Sequence, residues 1–124
     1  MPLFQNEKIF FEEIIQSIKK TIETSFLKKN ILSVALFGSV QKKEDNDRSD
    51  FDLLILVDKQ DAVPAVEEAM EVVGTKLIKV YGVTLGPYVK SVASFKKDRS
   101  LNVIKSILSS NQLIYGQELT QYGR

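Results

Sequence analysis

The 124-residue chain contains no cysteine, no histidine and no tryptophan. Those absences exclude a disulfide framework, a Cys/His zinc site, an iron-sulfur centre, a thiol nucleophile and a histidine-based triad. Chemistry here must use carboxylates, hydroxyls, Lys, Arg, Tyr or backbone groups, and any metal should be a hard cation held by oxygen. An excess of one charge is also missing: 17 basic against 16 acidic residues leave a net charge of +1. Nothing global therefore recruits nucleic acid or an anionic membrane, and any anion site must be local. The longest apolar run, Leu53 to Val57, is far too short to span a bilayer, and Met1-Pro2-Leu3-Phe4 lacks the pattern of a signal peptide, so a cytoplasmic protein is expected. With 3 prolines, 6 glycines, no repeat and no linker-like stretch, residues 1–124 are expected to form a single domain.

What is present has globular proportions, 44% hydrophobic and 27% charged, enough for one core. Phe11, Ile14, Ile15, Ile18, Ile22 and Phe26 recur at helical spacing and predict an amphipathic helix from about Asn6 to Lys29, with Asn6 capping its start and Asn30 ending it. Its stripe is broad for one small sheet to cover, which favours contact with a partner or a second copy. Ile31 to Phe37 predicts a strand closed by Gly38-Ser39, and a polar stretch runs from Gln41 to Ser49. Phe51 to Val57 predicts a strand covered on both faces, hence central. Asp61 is expected to cap a second helix carrying Val66, Ala69, Met70, Val73 and Leu77. A third extended segment near Val83 to Val92 contains Gly86-Pro87, which argues for an edge. A last helix bearing Leu101, Ile104, Ile107 and Leu108 leads to a short Leu113–Gly116 segment. The fold class is therefore α/β, an α+β two-layer sandwich with helices packed on a small mixed sheet. The first two strands are expected to be antiparallel, because the dozen residues between them are too few for a helical crossover.

The chemistry concentrates where those two strands meet the polar stretch. Asp50 and Asp52 lie on one face of a strand end while Phe51 points to the other. Two carboxylates a step apart on a rigid strand suit a divalent cation, and magnesium in particular, which keeps substrate phosphates among its ligands. Gly38 permits close backbone approach, and amides after Ser39 can meet phosphate oxygens if a helix starts there. Taken alone, an acid pair is usually solvated surface and a Gly-Ser is usually a turn. Their joint occurrence at one strand junction is far less ordinary. Lys42, Lys43 and Arg48 lie in the same loop, within possible reach of phosphate. The Lys96-Lys97-Asp98-Arg99 cluster reads better as a solvated helix start, and Tyr81, Tyr88, Tyr115 and Tyr122 as packing residues.

Leu36-Phe37-Gly38-Ser39-Val40, the polar loop, and Ser49-Asp50-Phe51-Asp52-Leu53-Leu54 resemble the G-S-x10-D-x-D signature of minimal nucleotidyltransferases in the DNA polymerase β superfamily. The element order and the closing Leu113–Glu118 segment are also similar to small members of that family. The resemblance implies transfer of a nucleoside monophosphate, AMP from ATP, to a hydroxyl acceptor by a two-metal mechanism. Carried over by position, Asp50 and Asp52 would be catalytic and hold two Mg2+ ions, and Gly38, Ser39, Lys42 and Arg48 would bind the nucleotide. Family members often have Arg and Gly where this chain has Lys42 and Lys43, so a planar guanidinium fork is replaced by a point charge.

The resemblance further implies an acid on the third strand facing the pair, yet Val83 to Val89 contains none. It also implies a partner: small relatives pair with HEPN-domain proteins in toxin-antitoxin systems, and a HEPN-type protein or a second copy would supply acceptor recognition. The alternative is a catalytically weakened nucleotide-binding or antitoxin module that acts by binding a HEPN-type partner.

Overall fold

The computed structural model describes residues 3–38 and 51–122 of the chain. Four strands form one sheet in the order β3-β2-β1-β4, comprising β1 (Ile31–Phe37), β2 (Phe51–Val57), β3 (Leu85–Ser91) and β4 (Gln112–Gly116). β1 runs antiparallel to both β2 and β4, whereas β2 and β3 are parallel, so the sheet is mixed as expected. β2 is a central strand, and every residue from Leu53 to Val57 is fully buried. β3 is an edge, where Pro87 and its missing N–H are tolerated.

Alternation along the strands divides the interior in two. On one face, α1 (Leu3–Thr24) and α2 (Val63–Tyr81) cover Val34, Leu36, Phe51, Leu53 and Ile55 with Ile14, Ile18, Ile22, Val66 and Leu77. On the other, α3 (Val92–Lys97) and α4 (Asn102–Ser109) bring Phe95, Ile104 and Ile107 onto Ala35, Leu54 and Leu56. All four tyrosines pack partly against these two cores. Among the described residues no helix is long and apolar enough to cross a membrane.

Several helix boundaries differ from expectation. α1 begins at Leu3, so Asn6 lies inside it, and it ends at Thr24. A separate 3-10 turn, Phe26–Asn30, follows and is capped by Ser25. Asn30 closes that turn and not α1; its side-chain amide donates to the carboxylate of Asp58 at 3.2 Å, joining the start of β1 to the end of β2. Asp61 sits in a 3-10 turn ahead of α2 rather than at its cap. The expected last helix is α4, with Leu101 just ahead of it, and α3 is an additional helix that ends where the chain turns at Asp98, whose carbonyl accepts from Leu101 N at 2.9 Å.

Candidate functional site

One edge of the sheet collects the end of β1 and the beginnings of β2 and β3. Phe37 pairs with Asp52 across the antiparallel ladder, and Gly86 pairs with Asp52 across the parallel one. Phe51 N donates to Thr84 O at 2.9 Å and locks the start of β2 to the approach to β3. Phe51 itself turns inward against Phe11, with ring centroids 5.6 Å apart. Strand alternation then directs Asp52 to the opposite face, shared with Leu54 and Leu56.

The Asp52 carboxylate is seated between two glycines. A β-carbon at position 38 would lie 2.6 Å from Oδ2, and one at position 86 would lie 2.8 Å from Oδ1. Real β-carbons do not approach that closely, so a side chain at either position would require the Asp52 carboxylate to move. Gly38 has a second reason: its φ of +83° is left-handed, a region that glycine enters without the penalty of a side chain. The result is a half-buried carboxylate on a rigid strand end.

Of the residues singled out in the sequence, the structure brings together Gly38 and Asp52. Ser39, Lys42, Lys43, Arg48 and Asp50 lie outside the described residues. Gly86 was legible only as a strand irregularity; a glycine within a strand often marks close approach of another group, and that was the available signal. Along β3, alternation puts Gly86, Tyr88 and Lys90 on the Asp52 side, so no acid from this strand faces it. Among the described residues no three acids gather as a cation cluster.

Farther along the same face, Lys90 Nζ donates to Asp98 Oδ2 at 2.9 Å and lies 5.3 Å from the Tyr88 ring centroid. Burial pulls the Lys90 pKa down, but Asp98 and the Tyr88 hydroxyl outweigh it and leave the pKa raised. The bond from Lys90 holds the Asp98 carboxyl below its usual range. Asp98 is thus the anchor of α3 on β3, rather than one more solvated charge at a helix start.

The family model for polymerase beta nucleotidyltransferases matches residues 12–119, the whole sheet and most of α1 included. The chain belongs to the polymerase beta nucleotidyltransferase family. Solved structures similar to this nucleotidyltransferase domain include a toxin-antitoxin with AMP-PNP, at TM-score 0.54 and 16% identity over 88% of this chain and 80% of that one. A mutant of the toxin-antitoxin MntA-HpeT carrying two Asp-to-Glu changes has TM-score 0.54 and 14% identity over the same shares. A Tyr-to-Ala mutant of that pair has TM-score 0.53, 15% identity, and covers 87% and 78%. At these identities the likeness is one of fold. No curated protein sequence matches the chain.

Proposed function

We propose that this domain transfers AMP from ATP to a hydroxyl group on a partner protein, with Asp50 and Asp52 as its metal-binding pair. The observation that carries the reading is the seat of Asp52: a carboxylate on a rigid strand end, flanked by Gly38 and Gly86. Two further facts support it. One structural neighbour holds AMP-PNP, whose triphosphate-like chain resembles that of ATP, and the paired Asp-to-Glu changes of another lie two positions apart, the spacing of Asp50 and Asp52.

The donor set fits a hard cation, since Asp52 presents carboxylate oxygen and the described chain contains neither thiol nor imidazole to compete. Two Mg2+ ions bound by Asp50 and Asp52 would neutralise triphosphate charge and acidify the acceptor hydroxyl. Gly38 and Ser39 would seat the triphosphate on backbone amides, and Lys42 and Arg48 would approach its oxygens. The acceptor oxygen forms a bond to the α-phosphorus as the α–β bridging bond breaks. Pyrophosphate leaves with that electron pair, and the hydroxyl proton passes to solvent. The acceptor is placed on a partner protein because the neighbours are toxin-antitoxin structures, and a HEPN-type protein is the partner proposed.

A second reading rests on β3. Gly86 stands where a carboxylate could face Asp52, and the β-carbon such a residue needs would collide with Oδ1. A domain lacking that acid would bind nucleotide and a HEPN-type partner without turnover. Incubation with Mg2+ and α-labelled ATP, with and without the protein encoded beside it, separates the two. Label on protein that disappears with Asp50→Asn supports transfer, whereas Mg2+-dependent ATP binding without label supports the binding module. Unchanged ATP affinity after Asp50→Asn with Asp52→Asn would exclude both.

A further inference from the structure

The near-neutral net charge is unevenly spread along the chain. Residues 3–38 and 51–83 carry eight cations against ten carboxylates, whereas residues 84–122 carry five cations against two carboxylates. The second stretch supplies β3, α3, α4 and β4. One of its two acids, Asp98, is already engaged by Lys90, whose side chain is only 12% exposed. Lys96, Lys97, Arg99 and Lys105 are left exposed on α3, α4 and the turn between them, and no carboxylate among the described residues forms an ion pair with them.

The backbone gathers these cations on one short piece of chain. Asp98 N donates to Ser94 O at 2.9 Å and ends α3, Leu101 N donates to Asp98 O at 2.9 Å and closes a tight turn, and Lys105 N donates to Leu101 O at 3.0 Å at the start of α4. A turn closed in that way keeps its ends within about 7 Å, so Lys97, Arg99 and Leu101 stay adjacent. Two aliphatic side chains lie among the charges and are also exposed, Leu101 by 48% and Val103 by 43%. The only aromatic residue from 92 to 109 is Phe95, and it is wholly buried.

This mixture distinguishes between classes of partner. A single-stranded nucleic acid is held by cations along its backbone and by exposed aromatic rings under its bases. Here the one ring is inside, and aliphatic groups stand between the cations instead. Protein interfaces combine an apolar centre with a polar, charged rim. We propose that the α3/α4 surface docks the partner protein through an acidic patch on that partner, with Leu101 and Val103 against its apolar centre and Lys96, Lys97, Arg99 and Lys105 against its carboxylates. Phe95, Ile104 and Ile107 attach α3 and α4 to the side of the sheet that Asp52 shares with Leu54 and Leu56, so a protein docked there is on the same side as that carboxylate. That the docked protein is also the acceptor rests on the transfer reading above; the docking itself requires no turnover.

The full chain and the protein encoded beside it provide the test, with association and dissociation rates measured by surface plasmon resonance at low and high salt. Lys97→Glu with Arg99→Glu should slow association and weaken binding by at least about tenfold at low salt, with a smaller loss at high salt, because rim charges act mainly on encounter and are screened. Leu101→Ser with Val103→Ser should speed dissociation at both salt concentrations. Lys76→Glu with Lys79→Glu on α2 makes the same change in net charge and should leave both rates as they are. Unchanged circular dichroism verifies that the variants fold. A parent chain that does not bind, a loss as large in the α2 variant, a loss absent from either α3/α4 variant, or a single-stranded RNA bound more tightly than the protein would each overturn the proposal. Label from α-labelled ATP is scored in parallel. Label on a partner whose binding ignores the α3/α4 variants overturns the docking surface and leaves transfer standing, whereas charge-dependent docking without label overturns transfer and leaves the docking surface standing.

Discussion

The carboxylate of Asp52 occupies space that a side chain at position 86 would need, with Oδ1 2.8 Å from where the β-carbon of that residue would be. Register makes this so: Gly86 is the partner of Asp52 on the parallel strand β3. A side chain at position 86, acidic or not, would therefore have to displace the Asp52 carboxylate.

Gly86→Ala should displace the Asp52 carboxylate and weaken Mg2+-dependent ATP binding by at least about tenfold, or roughly 1.4 kcal/mol. Gly38→Ala should do the same and also lower stability by roughly 1 kcal/mol, through its positive φ. Gly82→Ala is the control: its φ is +70° but nothing lies within 4 Å of its β-carbon, so stability should fall while ATP affinity holds. Calorimetric titration with ATP and thermal melts of the three variants measure both effects. Equal affinities throughout would remove Asp52 from the nucleotide site.

Asp98→Asn should lower the melting temperature in a pH-dependent way. The folded pKa of Asp98 is below 3.8, so its stabilisation is present above that value and is lost as pH falls through the folded pKa. The folded pKa of Lys90 is above 10.5, so its share is present below 10.5 and is lost as pH rises through the folded value. The gap between parent and variant should thus be widest from about pH 5 to about pH 9 and close toward strong acid. Melts across this range test it; a gap independent of pH would mean that the loss is one of shape and not of charge.

Phe95→Ala should destabilise the domain by about 3–5 kcal/mol, the usual loss for a buried aromatic ring. Phe95 is wholly buried and is the largest side chain holding α3 to Leu54 and Leu56. Urea unfolding gives the value directly. A change under about 1 kcal/mol would show that α3 contributes little to the core on the Asp52 side.

Much of the site's framework is legible in the sequence. The Ile31–Phe37 and Phe51–Val57 strands appear at the expected residues, because a run apolar on both faces and bounded by polar chain has few other solutions. Their antiparallel pairing and the edge position of β3 follow from connection length and from Pro87. Helix ends were read less well. Asn6, Asn30 and Asp61 are good caps by type, but α1 extends past the first, a separate turn absorbs the second, and the third precedes a 3-10 turn. Intrinsic cap preference amounts to about a kcal/mol and yields where packing favours another boundary.

The sequence by itself excluded thiol and imidazole groups and determined the Gly38-Ser39 and Asp50-Phe51-Asp52 motif and the face on which Asp52 emerges. Each depends on composition or on neighbours a few residues apart, where alternation and chain stiffness leave little freedom. Tertiary structure alone decided that Gly86 faces Asp52 and that Lys90 holds Asp98. Those relations join residues whose separation depends on strand register and on how helices settle over the sheet, and only the packing of the whole core selects one register and one seating among many.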